Sequence, residues 1–453
     1  MNIRVRSLCI SLISCFLSIG FGFANSVYAL DSTLSIDIYG PGQTQVHLYL
    51  PTPLPGKGEP FVAPLPDRVS GLASRLHDNL AFLPFFSFVA PADLLGGPGL
   101  GGYRSQDIDF KKLQLSKVDL VLTTAWNGDR SNPDSVELRA IEAFTGRLVL
   151  GKAYLIHDDK QIADVATRFC AALMKILTGS GDFFETRIAF VCRQKKNKEI
   201  CLISPQGHEL FQVTHDDGIS LSPSWSPDGR KLAFTYLDSK GHRLAVWDRD
   251  SKKINKYDLP GHTCIGPAFD ADGSLAISVD PFGNPDIYKL NASFGIKDLH
   301  APLVRDGGID ISATFDRKGS KMAFVSSRFG NPHIFVMETG TGVVSRVTYE
   351  GTYNTCPCLS PDGTLLAFAR RTSEGHRIFI TTLATGVEQQ VTFGPGNDED
   401  PTWSPDGYFL AFTSSRSGGY QLYVTTKHGD SAKHIPTGTA DATAPAWGPV
   451  PWP

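Results

Sequence analysis

This sequence lacks a marked excess of either charge. Its 453 residues include 43 Lys and Arg against 46 Asp and Glu, which gives a formal net charge of -3 at pH 7. A general nucleic-acid binder needs a basic surface, so the composition argues against that class. The sequence also contains no G-x-S-x-G stretch, the nucleophile elbow of α/β-hydrolases, and this disfavours a serine hydrolase of that type.

Cysteine is scarce, and its spacing does not suit a zinc site. Of the eight cysteines, Cys9 and Cys15 lie in an N-terminal apolar segment, and no metal-ligand spacing stands out among the other six. Cys356 and Cys358 are two residues apart in a strand-like stretch, so they point to the same side and suit a direct disulfide poorly. No cofactor is therefore expected.

Long apolar runs are also few, and the one that stands out is Leu8 to Ala24, which carries no charge. Two arginines precede it and Val27–Ala29 offers small residues for cleavage, so residues 1–29 are predicted to be a secretory signal. The mature chain then begins at Leu30 with no membrane insertion. Two alternatives stay open: a lipoprotein processing site at Leu12–Cys15, or a membrane anchor retained through the same run.

Residues 30–180 mix strand and helix patterns. Apolar residues at alternate positions predict strands at 34–38 and 46–50, and residues 85–89 are predicted to form another. Residues 118–125 are predicted to form a buried central strand, and 136–141 and 148–156 a hairpin around Thr145-Gly146. Apolar residues at helical spacing predict one helix from Val69 to Leu80 and another from Ile162 to Leu177, with Gly179 as its end. We therefore expect a two-layer α/β domain.

A repeat runs from Ser224 to Pro449. Its anchor, Trp225-Ser226-Pro227-Asp228-Gly229, returns four times in varied form, and successive anchor glycines are 44, 46, 44 and 44 residues apart. The second and third repeats lose the proline, but every repeat keeps the glycine. The anchor suits a turn, because Ser or Asp can accept a local backbone hydrogen bond and Gly permits a left-handed conformation. An apolar strand such as Leu232–Phe234 follows each anchor. A period in the forties with this content is typical of a four-stranded β-propeller blade.

The count of first strands predicts six blades. Besides the five anchors, Pro445–Pro449 repeats the strand that precedes an anchor, and residues 187–214 hold three strands without one. The C-terminal strand can therefore complete the first blade and leave no open sheet edge. The predicted fold class is an α/β domain at 30–180 followed by an all-β six-bladed propeller at 186–453. Cys192 and Cys201 fall nearly opposite each other in the first blade; a disulfide and two free thiols both stay open.

The chain resembles the TolB family, the periplasmic component of the Tol-Pal envelope system. The resemblance rests on Leu177-Thr178-Gly179 followed by Thr186–Val191, and on the anchors with the terminal Ala446–Pro449. It implies a periplasmic monomer that catalyses no reaction and whose propeller binds the lipoprotein Pal over the mouth of its channel. It also implies that the mature N-terminus binds TolA, and that the system supports envelope integrity and outer-membrane invagination during cell division.

By the same resemblance, the Pal contacts lie on loops that lead into first strands. The expected residues are His262, Gly266, Asp310, Ser312, Asp398, Glu399 and Asp400. The TolA contact is assigned to an N-terminal strand at Leu34, Ile36 and Ile38. The sequence departs from the family pattern at His262, which lies one residue farther from its strand, and at Asp310–Phe315, which lacks the usual Glu-Pro.

The loops between blades, all on one face, are rich in acids and histidines. They carry His215, Asp216, Asp217, His262, Asp306, Asp310, Asp398, Glu399, Asp400 and Asp441. An acidic ring could steer a basic partner, a rate effect that salt screens, whereas single carboxylates often only solvate turns. A metal in the channel stays open, since linear spacing gives no ligand set.

Two other functions stay open. The first is a secreted propeller hydrolase, which would need a cluster of ionisable groups at the channel centre and would show esterase activity. The second is a propeller scaffold outside the Tol-Pal system.

Overall fold

The structure, a computed structural model, describes residues 45–56, 63–97, 102–130, 132–194, 197–215 and 217–449. These residues belong to one unit, Ser35–Pro453. The predicted signal and the predicted strand at Leu34, Ile36 and Ile38 lie outside the described residues. Among the residues described, no helix has both the length and the apolar character to cross a membrane.

The N-terminal part is a mixed sheet with helices packed against it, which confirms the predicted α/β class. Its strands are β1 (Val46–Tyr49), β2 (Leu54–Pro55), β3 (Phe86–Phe88), β4 (Leu120–Asp129), β5 (Asn132–Glu142) and β6 (Leu148–Leu155). Its helices are α1 (Asp67–Ala81), α2 (Phe110–Leu115) and α3 (Lys160–Thr178), with 3-10 turns at Pro91–Asp93, Ser105–Asp107 and Asp182–Glu185. The strand order is β3-β1-β4-β5-β6, with β2 beside β4. As predicted, α3 ends at Gly179, whose φ is 84°.

Six four- or three-stranded sheets follow. The first blade holds β7 (Ile188–Gln194), β8 (Asn197–Ile203) and β9 (Phe211–Gln212). The second holds β10 (Ile219–Trp225), β11 (Lys231–Asp238), β12 (Gly241–Asp248) and β13 (Ile254–Tyr257), and the third β14 (Cys264–Phe269), β15 (Leu275–Val279) and β16 (Asp286–Lys289). The fourth holds β17 (Asp310–Phe315), β18 (Lys321–Ser326), β19 (His333–Glu338) and β20 (Val343–Arg346). The fifth holds β21 (Asn354–Leu359), β22 (Leu365–Thr372), β23 (Gly375–Thr382) and β24 (Glu388–Gln390). The sixth holds β25 (Asp398–Trp403), β26 (Phe409–Ser414), β27 (Gln421–Thr426) and β28 (Lys433–His434), before β29 (Ala442–Trp447).

The ring closes as the sequence predicted. Strand β29 pairs antiparallel with β7 and completes the first blade, so the described sheets form six blades. The third blade differs from the four-stranded expectation, since its sheet has three strands. After its last strand Asn291 Oδ1 accepts the backbone N–H of Gly295 at 3.1 Å in a tight turn. Two isolated bridges, Ile287 with Val304 and Leu290 with Ile296, stand where a fourth strand would lie.

Each anchor forms the predicted turn. In the second blade Ser226 Oγ accepts the backbone N–H of Lys231 at 2.9 Å, and in the fourth Asp316 Oδ1 accepts that of Lys321 at 2.8 Å. The five anchor glycines have φ between 65° and 80°. This left-handed backbone explains why the glycine persists where the proline does not.

The hydrophobic core lies between neighbouring blades. Leu232 and Phe234 of the second blade, for example, are fully buried in one cluster with Val191 and Leu202 of the first. Similar clusters join the second blade to the third and each later blade to its neighbour up to the sixth. The sheets are therefore held side by side around a channel, as in other propellers.

The alternation of strand directions gives the propeller two ends. We call the end where the innermost strands begin the start face and the end that carries the anchors the anchor face. The N-terminal part packs on the anchor face: the Phe183 ring centroid is 4.6 Å from that of Phe409 and 5.9 Å from that of Trp447. The links between blades lie at the opposite end, on the start face.

Candidate partner-binding face

Six inner strands line the channel, one from each blade. Their C-terminal halves enclose a cavity of about 350 Å³. Its wall includes five equivalent prolines: Pro223, Pro267, Pro357, Pro401 and Pro445. Each of these prolines stands just after a break in the strand, and these breaks organise the channel mouth.

Every inner strand contains a β-bulge at the same place. The register with the next strand shifts there, and one residue has a left-handed φ between 50° and 61°. These residues are Ser222, Gly266, Ser312, Cys356, Asp400 and Ala444. Proline follows in every blade but the fourth, and it suits a bulge because it has no N–H to pair. Three predicted contacts, Gly266, Ser312 and Asp400, are thus equivalent members of one ring.

Neighbouring members of this bulge ring lie close together. A Cβ added to Gly266 would stand 3.6 Å from the Cα of Ser312, and the Cys356 thiol donates to Asp400 Oδ1 at 3.1 Å. Burial, together with the Asp400 charge, raises the pKa of the Cys356 thiol well above its ordinary value. Cys356 and Cys358 are both free thiols, in keeping with the poor geometry expected for a bridge between them.

Asp310 and Asp398 are equivalent residues at the beginning of two inner strands, and both are fully buried. Asp310 Oδ1 lies 3.3 Å from Arg328 Nη2, and Asp398 Oδ1 lies 2.9 Å from Arg416 Nη2. Burial raises the pKa of Asp310, against the opposing effect of Arg328. A partner on the start face would therefore touch the loops that these two carboxylates support rather than the carboxylates themselves.

The fifth blade uses an amide in the same position. Asn354 Oδ1 accepts from Arg370 Nε at 2.8 Å, and the guanidinium carbon lies 4.6 Å from the ring centroid of Phe379. Arg328 and Arg416 stack in the same way, 4.6 Å and 4.9 Å from aromatic rings of their own blades. Each of these three blades thus fixes the start of its inner strand through one arginine held over a ring.

Glu399, which directly precedes Asp400 of the bulge ring, pairs with His376. His376 Nδ1 lies 2.6 Å from Glu399 Oε1, and both side chains are about one quarter exposed. Burial raises the pKa of the Glu399 carboxyl, and His376 partly opposes that change. Glu399 is a predicted contact. The sequence analysis did not predict His376, because this residue lies in the preceding blade, 23 residues before Glu399.

His262 is exposed in the link between the second and third blades. Asp280 holds this link, since its Oδ1 accepts the backbone N–H groups of His262 and Thr263, each at 2.6 Å. Burial alone would raise the pKa of Asp280, but these hydrogen bonds outweigh it and the pKa is lowered. The His262 carbonyl is 3.1 Å from Nδ1 of His242. The backbone here is fixed while the imidazole of His262 stays accessible.

Arg377 organises the link into the sixth blade, and the sequence analysis missed it. The side chain is buried, and its two terminal nitrogens donate to the carbonyls of Glu374, His376, Gly394 and Gly396 at 2.5–2.9 Å. One guanidinium therefore ties a hairpin of the fifth blade to the loop that precedes the predicted contacts at 398–400.

Arginines at this face pair with several acids of the inter-blade loops. Asp306 pairs with Arg328 at 2.7 Å, and Asp441 pairs with Arg193 at 3.1 Å. His215 and Asp217 are exposed, while Asp216 lies outside the described residues. The face therefore carries both acidic and basic groups, because arginines of the adjoining hairpins contact the acidic loops.

Cys192 and Cys201 form a disulfide with their Cα atoms 5.9 Å apart. The expectation that they fall nearly opposite each other is confirmed, and of the two alternatives left open the structure shows the disulfide. Cys192 stands opposite Glu199 and Cys201 opposite Phe190, so the bridge is diagonal. This distance still suits a disulfide, since the usual Cα separation is about 4.4–6.8 Å.

Comparison with known proteins links this architecture to one family. The family model described as the TolB beta propeller domain matches residues 174–451. A Tol-Pal system protein TolB from Nitratidesulfovibrio vulgaris is 44% identical over 303 residues, which are 66% of this chain and 66% of that protein. A protein TolB homolog from Chlorobium luteolum is 31% identical over 343 residues, or 75% of this chain and 74% of that protein.

A solved structure shows the same fold. The crystal structure of TolB from Acinetobacter baumannii matches with a TM-score of 0.75 and covers 90% of this chain and 98% of that chain. At 23% identity this likeness supports the architecture alone. The family model, in contrast, matches more than half of the chain, and the Chlorobium relative is similar over three quarters of it. The resemblance seen in the sequence is thereby confirmed, and this chain belongs to the TolB family.

Proposed function

We propose that this chain is a non-enzymatic binding component of a Tol-Pal system in the periplasm. Its start face binds the lipoprotein Pal, and it supports envelope integrity and outer-membrane invagination during cell division. The observation that carries the proposal is the arrangement of the two ends: the N-terminal part packs on the anchor face, while the links with the predicted contacts lie on the start face. Similarity to the Nitratidesulfovibrio relative, a Tol-Pal system protein, supports the same system.

The mouth offers fixed backbone and a few accessible side chains. His262 is exposed on a link held by Asp280, Glu399 is partly exposed beside His376, and Gly266 presents backbone without a side chain. Preformed loops reduce the entropy lost on binding, so a protein partner can seat here at a lower ordering cost. The N-terminal region at Leu34, Ile36 and Ile38 is proposed to bind TolA, as the family resemblance implies.

A hydrolase acting through the channel has less support. The described cavity wall consists mainly of proline, alanine and aromatic residues, with Asp270, Asp316 and Arg317 at its anchor end. Asp316 is engaged in its own turn through Lys321, and Asp270 lies 3.3 Å from Lys289 Nζ. Esterase activity of the purified protein would count against the non-enzymatic proposal.

The test is calorimetric titration of the full mature chain with purified Pal. Truncating one side of a desolvated contact costs about 2 kcal/mol, so His262→Ala and Glu399→Ala should each weaken binding about thirtyfold. The unfolding midpoint of His262→Ala should stay within about 1 °C of the parent, because the imidazole is exposed. His157→Ala, an exposed histidine of the N-terminal part, serves as the matched control. A parent protein that does not bind Pal contradicts the proposal.

A further inference from the structure

Large apolar side chains are exposed on one sector of the start face. Phe282 is 56% exposed, Phe329 66%, Tyr349 70% and Phe393 60%. They stand on hairpin tips and links of the third, fourth and fifth blades. Elsewhere on the described start face, the corresponding exposed residues Ile219 and Tyr420 reach only 36%. A cluster of this kind on a monomer commonly marks an interaction site.

Two of these residues stand on hairpins with the same sequence. Phe-Gly-Asn-Pro occurs at Phe282–Pro285 and again at Phe329–Pro332. In both hairpins the proline carbonyl accepts a backbone N–H from the start of the next inner strand, Asp310 at 2.9 Å and Asn354 at 3.0 Å. Each tip is thereby fixed against the link beside it, so the exposed phenylalanine is held in place.

The rings are also ordered by cations. The Arg346 guanidinium lies 5.7 Å from the Phe329 centroid and 5.0 Å from that of Tyr349, between two exposed rings. Arg305 lies 5.4 Å from the Phe282 centroid in the preceding blade. Aromatic rings beside arginines are enriched in the centres of protein interfaces, because they bury a large area at a small entropic cost.

Two further exposed apolar residues on these links, Tyr353 and Ile309, lie next to the predicted mouth contacts. The Tyr353 ring centroid is 6.0 Å from that of His376, whose Nδ1 is 2.6 Å from Glu399. Ile309, 44% exposed, directly precedes Asp310 at the start of its inner strand. Tyr353 and Ile309 thus place the border of this apolar sector beside the mouth contacts Glu399 and Asp310.

We infer that the aromatic sector, Phe282, Ile309, Phe329, Tyr349, Tyr353 and Phe393, is the apolar half of the site proposed above. The bound protein then sits off the channel axis, over the third to fifth blades, and not symmetrically over the opening. Its matching surface carries aliphatic side chains for the rings and a carboxylate for Arg346. This inference rests on the proposed function, because it takes the occupant of the mouth to be a folded protein, Pal.

The experiment compares two double variants of the full mature chain by titration with purified Pal. Phe329→Ser/Tyr349→Ser should bind about thirtyfold more weakly than the parent. Val343→Ser/Val387→Ser should bind within about twofold of it. These valines are 59% and 64% exposed on hairpins of the fourth and fifth blades, but at the anchor face. Arg346→Glu should slow association most at low salt, because it opposes a carboxylate.

Three outcomes separate the two proposals. If the parent does not bind Pal, the proposed function fails. If the parent binds, His262→Ala weakens binding and the aromatic double variant binds like the parent, only the off-axis inference is overturned. If the double variant has a lower unfolding midpoint, Phe393→Ser provides the same comparison, and an unchanged affinity there also overturns the inference.

Discussion

Replacing Arg377 tests how the approach to the sixth blade is held. The side chain is 2% exposed and donates to the backbone carbonyls of Glu374, His376, Gly394 and Gly396. In Arg377→Met the aliphatic stem remains, but all four carbonyls lose their donor. The loop between the fifth and sixth blades then loses these four ties to the hairpin and keeps the hydrogen bond from the His376 N–H to Asn397 Oδ1 at 3.0 Å.

The size of the effect follows from the exposure of the acceptors. A hydrogen bond from a charged donor contributes about 1.5–3 kcal/mol, so four would sum to about 6–12 kcal/mol. Gly394 and Gly396 are exposed, and water can replace part of what they lose. Removing a buried cation also recovers its desolvation penalty. We therefore expect Arg377→Met to lower the free energy of unfolding by about 3 kcal/mol, and Arg377→Lys by about 1–2 kcal/mol because it lacks the planar fork.

The assay is urea unfolding at pH 7, combined with amide hydrogen exchange over residues 393–398. Arg371→Met is the control, since Arg371 is exposed on the strand that precedes the same hairpin, and its unfolding free energy should change by less than about 0.5 kcal/mol. If Arg377→Met unfolds within about 1 kcal/mol of the parent and exchange over 393–398 stays unchanged, the four hydrogen bonds do not hold this loop.

Three further substitutions follow from the structure. Asp310→Asn copies the Asn354 arrangement and should keep the free energy of unfolding at pH 7 within about 1 kcal/mol of the parent. Because burial raises the pKa of Asp310, the folded protein binds this proton more tightly than the unfolded chain does. The free energy of unfolding of the parent should therefore rise relative to that of Asp310→Asn as pH falls from 7 towards 4, and equal pH profiles would contradict this. Cys192→Ala/Cys201→Ala opens a short loop and should cost about 2–3 kcal/mol in chemical unfolding, and no loss would show the bridge to be dispensable. Gly407→Val places a β-branched residue at φ 69° and should cost about 2 kcal/mol, measured by thermal unfolding against Gly340→Ala; equal midpoints would refute the need for a left-handed turn there.

The propeller could be predicted from the sequence because its information is local and repeated. Each anchor turn is made within six residues, as in the contact from Lys231 to Ser226, so the residues themselves specify it. The closure of the ring by β29 and β7 was predicted from the count of first strands. Helix α2 and strand β2 were not predicted, because six and two residues are too short to show a period.

The mouth was less predictable, since its contacts join distant segments. Arg328 follows Asp310 by 18 residues and Arg416 follows Asp398 by 18, so this regular spacing is a sequence signal for the Asp–Arg pairs. The sequence does not show, however, that these carboxylates are buried. In the sequence the bulge ring appears only as a proline that recurs within five of the six inner strands. A bulge is a mismatch in pairing between two strands, so it cannot be identified from the sequence of one strand alone.

The pairing of β29 with β7 also sets the order in which the protein can be completed. Ala442 lies opposite Cys192, 442 − 192 = 250 residues earlier in the chain. During synthesis β7 therefore emerges long before its partner, and contacts over such a separation form late because closing a long loop is entropically costly. Until then one edge of β7 is free to pair with another chain. The hairpin whose edge stays open longest is also the one that carries the disulfide, so the bridge can fix β7 to β8 before the ring is complete.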